Sequence, residues 1–330
     1  MPQREITFIS GGELLAGEVW LPVGSSPHPA VLLIGGTMSD TRDGDPVASL
    51  YGKAPRHGMF RVTAERLAQA GLASLRWDKR GVGASTGPPR DTHSDVWTDV
   101  EDAEQALLTL SQVPEVDATR IAVLGESAGG YFLCFLAQRT NLPAAYVLQA
   151  ALYTSIPKMI EFNYQRVVDY AARGPAEAKW IEAVAPRVYR AGQHWRAYIA
   201  AAAQGVDVYE VETPDGPFRA ELRRLKQELA YPPAEQFRYI QKPTLVIQGH
   251  QDLNVPPSDC YQIVAALRAA GNQAVTLEVI PGADHSMQQA APDEETRLRE
   301  RISMESFKRP YVEVFFTALT GWLTKQLSGI

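Results

Sequence analysis

Short apolar segments alternate with helix-like segments along most of the chain, and this alternation constrains the fold more than any other feature of the sequence. The glycine pair Gly11-Gly12 joins the first two strand-like segments as a hairpin turn. The strand-like segments lie at 6–9, 14–21, 30–34, 73–77, 121–124, 144–148, 244–248 and 275–280. Helical spacing marks the segments at 60–70, 94–110 (with Ser94 as capping residue), 259–270 and 310–327. This alternation predicts a mostly parallel sheet with helices on both faces.

One long segment, 152–235, interrupts the alternation. It has no buried-type strand, it is mainly helical in pattern, and it lies between two predicted strands rather than at an end of the chain. The sequence therefore predicts a core formed by 1–151 and 236–330, with a helical cap at 152–235 inserted after the sixth strand. A chain of 330 residues is long enough for this organisation.

The composition is that of an ordinary globular protein, with 45% hydrophobic and 21% charged residues. The net charge is −6, and no basic block favours a nucleic-acid or membrane-surface partner. The N-terminal residues lack the apolar core of a signal peptide, and no stretch is apolar over the roughly 18 residues of a membrane span. Cys134 and Cys260 lie in predicted helices, where packing is favoured over a disulfide. We therefore expect a cytoplasmic protein with reduced thiols. The sequence does not indicate its oligomeric state.

The stretch GESAGG, residues 125–130, stands between a predicted strand and a predicted helix. Small residues surround Ser127 where the chain must turn most sharply. This is the pattern of a nucleophile elbow, G-x-S-x-G, in which a strained strand-to-helix turn exposes a serine hydroxyl at the edge of a sheet. Because so short a pattern also occurs by chance, it indicates a nucleophile only if a base and an acid follow in suitable places.

Asp252 and His285 are suitably placed to be that acid and base. Asp252 follows the predicted strand at 244–248, and His285 follows the one at 275–280. Parallel strands present their C-terminal ends at one edge of the sheet, where Ser127 also emerges. The chain order serine, aspartate, histidine is the order found with this elbow. We therefore predict a catalytic triad of Ser127, Asp252 and His285.

Other ionisable residues fit these roles less well. His250 is the alternative base, but it lies two residues from Asp252 and leaves no second strand to supply the base. Asp284 is the alternative acid, but a residue adjacent to His285 usually points away from its ring. Glu126 is expected to accept hydrogen bonds or to face the pocket wall rather than to orient the base. The other histidines carry no predicted role: His28, His57, His93 and His194.

Two backbone N–H groups should stabilise the negative charge that develops on a carbonyl oxygen. Ala128, the residue after the nucleophile, supplies one. The other is predicted in the loop after 30–34, where Gly35-Gly36 allows close approach and Thr37 donates, with Met38 as the alternative. The acidic residues of this loop do not match a calcium-binding pattern and are expected to order the loop: Asp40, Asp43 and Asp45. We expect no metal and no cofactor.

Together these residues resemble the α/β-hydrolase superfamily, specifically capped bacterial esterases and serine aminopeptidase-like members. Besides GESAGG, the similar stretches are 77–86, 98–125 and 233–257. The D-x-R-G-x-G-x-S turn of such enzymes, which is structural in the family, is matched by Asp78, Arg80, Gly81, Gly83 and Ser85. Many relatives read G-H-S-E-G-G at the elbow and have a histidine before the loop glycine, where this chain has Glu126, Ala128 and Gly35.

The predicted site describes acyl transfer through an acyl-enzyme, which is hydrolysis when water is the second nucleophile. The cap carries 11 aromatic residues among 84, about 13% against 9% for the chain, which favours a partly apolar pocket. We therefore expect a small-molecule carboxylic ester of modest size as substrate. The candidate substrate-binding residues are Gly36, Glu126, Trp195 and Tyr198.

Three other functions stay open. An aminopeptidase or amidase would bind an N-terminal amine through Glu161, Glu177 or Glu182 of the cap. An acyltransferase would use the same triad with an alcohol or thiol in place of water. A non-catalytic receptor on the same fold is disfavoured by the complete triad. Activity is expected to rise with pH at a midpoint of roughly 6 to 7.5, near the ordinary pKa of histidine.

Overall fold

The predicted strands assemble into one eight-stranded sheet, in a computed structural model that describes residues 1–47, 55–90, 95–213 and 216–328. A further antiparallel pair, β7 with β8, stands apart from this sheet. In chain order the strands are β1 (Gln3–Ser10), β2 (Glu13–Trp20), β3 (His28–Ile34), β4 (Ala73–Trp77), β5 (Val116–Glu126), β6 (Ala145–Gln149), β7 (Val208–Val211), β8 (Phe218–Glu221), β9 (Thr244–Gly249) and β10 (Val275–Ile280).

The main sheet has the order β1-β2-β4-β3-β5-β6-β9-β10. Strand β2 runs antiparallel to both of its neighbours, and every other neighbouring pair is parallel. The prediction of a mostly parallel sheet is therefore confirmed. Its central strands are buried along most of their length, which is why they read as continuous apolar runs in the sequence.

Helices cover both faces of this sheet. One face packs against α2, α3 and α9, and the other packs against α1 and α11. The helices, in chain order, are α1 (Met59–Gln69), α2 (Val96–Ser111), α3 (Ala128–Arg139), α4 (Ile156–Ala171), α5 (Pro175–Val184), α6 (Pro186–Ala203), α7 (Arg223–Ala230), α8 (Pro233–Gln236), α9 (Asp259–Ala269), α10 (Glu294–Ser303) and α11 (Glu313–Ser328).

The boundaries of several elements differ from the sequence-based expectation, among them those of β5 and α2. Strand β5 runs from Val116 to Glu126 and is therefore longer than the apolar run at 121–124. Its first half does not stand out in the sequence, because it is partly exposed and includes polar residues. Helix α2 begins at Val96 with Asp95 as its capping residue, and the Asp95 carboxylate accepts hydrogen bonds from the N–H groups of Trp97 and Thr98. The predicted capping residue, Ser94, lies outside the described residues.

The segment between β6 and the end of α8 contains the helices α4 to α8 and the small hairpin of β7 and β8. A mainly helical insertion was expected, and the hairpin is an addition to it. Each hairpin strand has four residues that are half-buried or exposed, so neither carries the apolar signal of a core strand. Helices α4 and α5 pack against α10 through apolar side chains, among them Val167, Tyr170, Ile181, Leu298 and Ile302.

A polar contact also joins the insertion to the sheet-and-helix body. Gln227 of α7 accepts a hydrogen bond from the N–H of Val96 at 2.8 Å and donates one to the Asp95 carboxylate at 2.8 Å. The amide of Gln227 therefore satisfies a backbone donor at the start of α2 that has no acceptor within the helix.

Among the described residues, no helix is both long enough and apolar enough to cross a membrane.

Candidate active site

Ser127 occupies a sharp turn between β5 and α3. Its backbone lies at φ 54° and ψ −122°, a conformation that costs a non-glycine residue roughly 1–3 kcal/mol. The turn is fixed by a hydrogen bond from the N–H of Ser127 to the carbonyl of Gln149 at 2.8 Å. At Gly129 a Cβ atom would lie 2.2 Å from the carbonyl oxygen of Ile34, so only glycine lets α3 start this close to β3. The strained strand-to-helix turn has the geometry that the GESAGG pattern predicts.

His285 and Asp252 meet at the same edge of the sheet. The Nδ1 atom of His285 lies 2.7 Å from Oδ2 of Asp252. Asp252 is buried, and its carboxylate also accepts hydrogen bonds from the side-chain amide of Gln248 and from the N–H groups of Asn254 and Val255, at 2.6–2.9 Å. The carboxylate is therefore held rigidly and can orient the imidazole ring.

The alternative base and acid are not placed to take these roles. His250 is exposed, and its backbone N–H donates to the carbonyl of Ile280. The Asp284 carboxylate accepts from the N–H groups of Ser286 and Gln288, both at 2.9 Å, rather than from the imidazole of His285. Among the other histidines, His57 contacts Tyr311 and the Gly44 carbonyl. His93 lies outside the described residues.

Glu126 lies between the imidazole and the loop after β3. Its Oε1 is 3.5 Å from Nε2 of His285. Its Oε2 accepts hydrogen bonds from the N–H of Gly36 at 2.8 Å and from the hydroxyl of Ser39 at 3.0 Å. No hydrogen bond in the described part of the chain joins the Ser127 hydroxyl to Nε2 of His285. In this structure the Nε2 atom of His285 therefore faces the carboxylate of Glu126. The sequence predicts only that Glu126 accepts hydrogen bonds or faces the wall of the substrate pocket.

This arrangement shifts the pKa of His285 upward. Burial alone would lower it, but the charge of Asp252, the hydrogen bond to Asp252 and the charges of Glu126 and Asp284 outweigh burial and raise the pKa of His285 to about 9. The sequence-based midpoint of roughly 6 to 7.5 assumed an ordinary imidazole. It did not include a second carboxylate beside the ring, and this geometry moves the expected midpoint to higher pH.

The loop after β3 lies directly against the elbow. At Gly36 a Cβ atom would be 2.7 Å from Cβ of Ser127 and 2.8 Å from the carbonyl oxygen of Glu126, so a larger residue would separate the two segments. Since the N–H of Gly36 already donates to Glu126, the next residue, Thr37, presents the following N–H of this loop. Ala128 is the first residue of α3, and its N–H has no acceptor within the helix.

A cluster of buried charges underlies this loop, and sequence analysis missed it. The ammonium group of Lys79 donates to the carbonyl oxygen of Gly36. Arg90 forms a two-pronged ion pair with Asp99, both hydrogen bonds at 3.0 Å, and a third hydrogen bond to Asp40 at 3.1 Å. The strand-edge rule could have found Lys79, because it follows β4 beside β3 at the edge where Ser127 emerges.

Arg224 connects this buried cluster to the inserted segment. Its guanidinium lies 3.7 Å from the Asp99 carboxylate and 2.8 Å from that of Glu228. It also donates to the hydroxyl of Thr37 at 3.4 Å. One side chain of α7 thus contacts both the buried charges and the loop of the candidate site.

The two aromatic residues proposed for the substrate pocket are buried. Trp195 and Tyr198 lie on α6 and pack in the large apolar cluster that joins the inserted helices to the body. Tyr198 forms a side-chain hydrogen bond with Tyr164, and Arg196 lies over the Trp195 ring at 4.2 Å. Their contacts are those of residues that attach the insertion to the body, and a role in substrate binding stays a prediction.

The acidic residues of the loop each have partners within the protein. Asp40 pairs with Arg90, Asp43 with Arg76, and Asp45 accepts from the backbone N–H groups of His57 and Gly58. The described ranges contain no cluster of three or more His, Cys, Asp or Glu side chains with metal-binding geometry. Cys134 and Cys260 are buried free thiols.

The sheet order, the flanking helices and the serine elbow define the class of α/β hydrolases. Residues 47–289, about three quarters of the chain, match the family described as serine aminopeptidase, S33. The chain belongs to this family of α/β hydrolases.

Solved structures of the same fold cover nearly the whole chain at low sequence identity. The α/β hydrolase GrgF from Penicillium sp. sh18 is 18% identical with a TM-score of 0.60, over 99% of this chain and 100% of that one. Est1E from Butyrivibrio proteoclasticus is 15% identical with a TM-score of 0.57, over 98% and 99%. An esterase from Pyrococcus furiosus is 16% identical with a TM-score of 0.57, over 99% and 91%. These likenesses concern the fold alone.

A curated protein matches only a short part of the chain. A polyketide transferase from Gibberella fujikuroi is 39% identical over 88 residues, which are 26% of this chain and 25% of that protein. The match thus spans about a quarter of the length of this relative.

Proposed function

We propose that the protein is a serine hydrolase that cleaves carboxylic esters of modest size through an acyl-enzyme on Ser127. The observation that carries this proposal is the hydrogen-bonded pair of His285 and Asp252 at the sheet edge where the strained turn presents Ser127. Such a pair activates a serine hydroxyl, because the imidazole takes its proton while the carboxylate holds the ring and stabilises the imidazolium.

In the proposed reaction, Ser127 Oγ attacks the ester carbonyl carbon and transfers its proton to Nε2 of His285. The tetrahedral intermediate carries its negative charge on the former carbonyl oxygen, and the N–H groups of Ala128 and Thr37 stabilise it. The imidazolium then protonates the leaving alcohol. Water, deprotonated by the same imidazole, attacks the acyl-enzyme carbonyl carbon. The bond to Ser127 Oγ then breaks, the imidazolium returns its proton to Ser127 Oγ, and the acid is released.

The first step requires the imidazole to release its contact with Glu126 and to accept from Ser127. Catalytic hydrogen bonds in unliganded enzymes are often long, and they tighten only when substrate is bound. Glu126 therefore sets the pH at which the base becomes available, and this role is distinct from orienting the ring, which belongs to Asp252.

An ester substrate is favoured over a peptide by the surroundings of the cap glutamates. Glu161 and Glu182 are exposed, and Glu177 lies in the first turn of α5, where it is placed to interact with the helix N-terminus. No hydrogen bond or ion pair in the described residues connects these side chains to Ser127 or His285. The family name keeps amide hydrolysis as the second candidate, and the short match to a polyketide transferase keeps acyl transfer as the third.

One experiment separates these activities. A series of p-nitrophenyl esters and aminoacyl p-nitroanilides is assayed beside a fluorophosphonate label, with and without added alcohols as acyl acceptors. Ester turnover with labelling supports the esterase. Anilide turnover supports the amidase, and ester products of the added alcohols support the transferase.

The labelled residue is then identified by mass spectrometry. Ser127→Ala should lose labelling and at least about 10⁴ in kcat. The matched control Ser111→Ala, at the C-terminal end of α2, should keep both. A wild-type protein that neither reacts with the label nor hydrolyses any substrate would remove the serine hydrolase proposal.

A further inference from the structure

The Gly36 residue is held from both sides by charged groups. Its N–H donates to the carboxylate of Glu126 at 2.8 Å, and its carbonyl oxygen accepts from the ammonium of Lys79. Both charged side chains are buried. The two contacts fix the orientation of the backbone on each side of Gly36, one residue before the proposed oxyanion donor.

The carbonyl of Gly36 and the N–H of Thr37 belong to the same planar amide. A cation on the carbonyl oxygen draws electron density away from the amide nitrogen and makes its N–H a stronger donor. Hydrogen bonds at the two ends of one amide strengthen each other for this reason, and the effect is largest where water is excluded. Because Lys79 donates to the Gly36 carbonyl oxygen, it can strengthen the Thr37 N–H as a donor without touching the substrate.

The cost of burying Lys79 indicates that the contact is not incidental. Moving an ammonium group out of water costs solvation free energy unless nearby charges and hydrogen bonds compensate for it. Burial is the largest influence on Lys79, and the neighbouring cations Arg90 and Arg224 add to it, whereas Asp99 and Asp40 favour the charged form. The result is a pKa of Lys79 lowered to about 8. The group is mostly protonated at neutral pH and loses its charge in the mildly alkaline range.

We propose that Lys79 is a positioning residue of the oxyanion site, which orients and polarises the Gly36–Thr37 amide so that the Thr37 N–H stabilises the tetrahedral intermediate. This proposal rests on the proposed function. It adds the Lys79 side chain, which acts through the Thr37 N–H, to the two backbone donors of the oxyanion site. It also gives a chemical role to one residue of the 77–86 stretch, which otherwise resembles a structural turn.

The test replaces Lys79 by methionine, which has nearly the same length but no donor and no charge, and by glutamine, which keeps a donor without charge. The matched control is Lys226→Met. Lys226 also donates to a glycine carbonyl, that of Gly205 at 3.0 Å, but it does so at the surface of the inserted segment. Melting temperatures of all variants are compared with that of the wild type.

The readouts are kcat, KM and inhibition by an alkyl trifluoromethyl ketone, which forms a tetrahedral adduct with a reactive serine. Removing one oxyanion donor costs about 10² to 10³ in kcat, so weakening one should cost less. We expect Lys79→Met to lower kcat about tenfold and to weaken the ketone by a similar factor, with KM nearly unchanged. Lys79→Gln should lie between Lys79→Met and the wild type, and Lys226→Met should match the wild type.

The pH dependence provides a second readout that a structural role would not move. His285 titrates in both proteins, so its effect on kcat largely cancels in the ratio of wild-type kcat to Lys79→Met kcat. This ratio should fall as the pH passes about 8, because the wild-type lysine then loses the charge that the variant lacks. The ratio for Lys226→Met should stay flat.

The proposal is overturned if a folded Lys79→Met variant has the kcat and ketone affinity of Lys226→Met. It is also overturned if only KM changes, or if the ratio is independent of pH. If Lys79→Met does not fold, Lys79→Gln and the ratio measured with it decide the question in the same way. These failures are distinct from a failure of the proposed function, which would appear as absent labelling and turnover in the wild-type protein.

Discussion

The position of Glu126 predicts the pH range in which the enzyme is active. Its Oε1 lies 3.5 Å from Nε2 of His285, and both side chains are largely buried. A carboxylate in this place stabilises the imidazolium and disfavours the neutral imidazole, which is the form that accepts the serine proton in the proposed reaction. Replacing Glu126 by glutamine should therefore lower the pKa of His285 and increase activity at neutral pH.

The magnitude follows from the distance. Two unit charges at 3.5 Å interact by about 1 kcal/mol in a medium like water and by about 5 kcal/mol at an effective dielectric constant near 20. One pKa unit corresponds to about 1.4 kcal/mol, so the shift of the His285 pKa is about 1 to 3.5 units. With a starting pKa of about 9, only about 1% of His285 is neutral at pH 7, and a shift of one unit raises that fraction nearly tenfold.

Glutamine also preserves the second task of this residue. Its side-chain carbonyl can still accept from the N–H of Gly36 and the hydroxyl of Ser39, as Oε2 of Glu126 does. The maximal kcat at high pH should therefore stay within a few-fold of the wild type. The control is Glu104→Gln, which removes the same charge from an ion pair between Glu104 of α2 and Arg139 of α3 and should leave the profile unchanged.

The assay is kcat/KM for a p-nitrophenyl ester from pH 5.5 to 10, together with an NMR titration of the His285 imidazole. For the wild type we expect the activity to rise with a midpoint near pH 9, and for Glu126→Gln a midpoint at least about one unit lower. If kcat/KM rises with the same midpoint in the wild type and in Glu126→Gln, the proposed electrostatic coupling between Glu126 and His285 is refuted. An NMR titration that moves while the activity profile does not would show that another group limits the rate.

Further predictions concern the acid, the loop and the inserted helices. Asp252→Asn should lower kcat by about 10⁴, whereas Asp284→Asn, which keeps its backbone hydrogen bonds, should keep most of the activity; equal losses in steady-state assays would contradict the assignment of the acid. Thr37→Ala should keep most of the rate, and a folded Thr37→Pro should lose about 10² to 10³ in kcat; equal damage in both would assign the role to the hydroxyl. Trp195→Ala or Tyr198→Ala should change kcat/KM unequally along an acyl-length series if these residues line the pocket. A drop in melting temperature with equal kinetic changes would assign them to attachment of the insertion alone.

The proposed serine, acid and base could be placed near one another from the sequence because one physical rule applies to all three. Parallel strands place their C-terminal ends at one edge, so residues that follow different strands meet there without any knowledge of the distances. The pairing of His285 with Asp252 at 2.7 Å agrees with this rule. The same rule applied to β4 places Lys79 at this edge, although the resemblance of its stretch to a structural turn gives Lys79 no chemical role.

The inserted hairpin was not accessible in the same way. Strands β7 and β8 pair with each other rather than with the main sheet, and their residues are half-buried or exposed, with none fully buried. Periodicity detects a strand only where burial selects its residues. A four-residue strand at the surface of a helical insertion experiences little of that selection.

The effect of Glu126 on catalysis could not be predicted from the sequence for a different reason. Its two carboxylate oxygens have opposing effects, and both effects depend on interatomic distances. One carboxylate oxygen orders the loop through Gly36 and favours the reaction, while the other stabilises the imidazolium and disfavours it below about pH 9. Sequence analysis could place this residue in the elbow but could not assign the sign of its contribution. If a substrate displaces the carboxylate from Nε2 while Gly36 keeps it on the other side, the opposing effect disappears in the complex. The pH midpoint of kcat should then lie below that of kcat/KM, because the first reports His285 with substrate bound and the second reports the free enzyme.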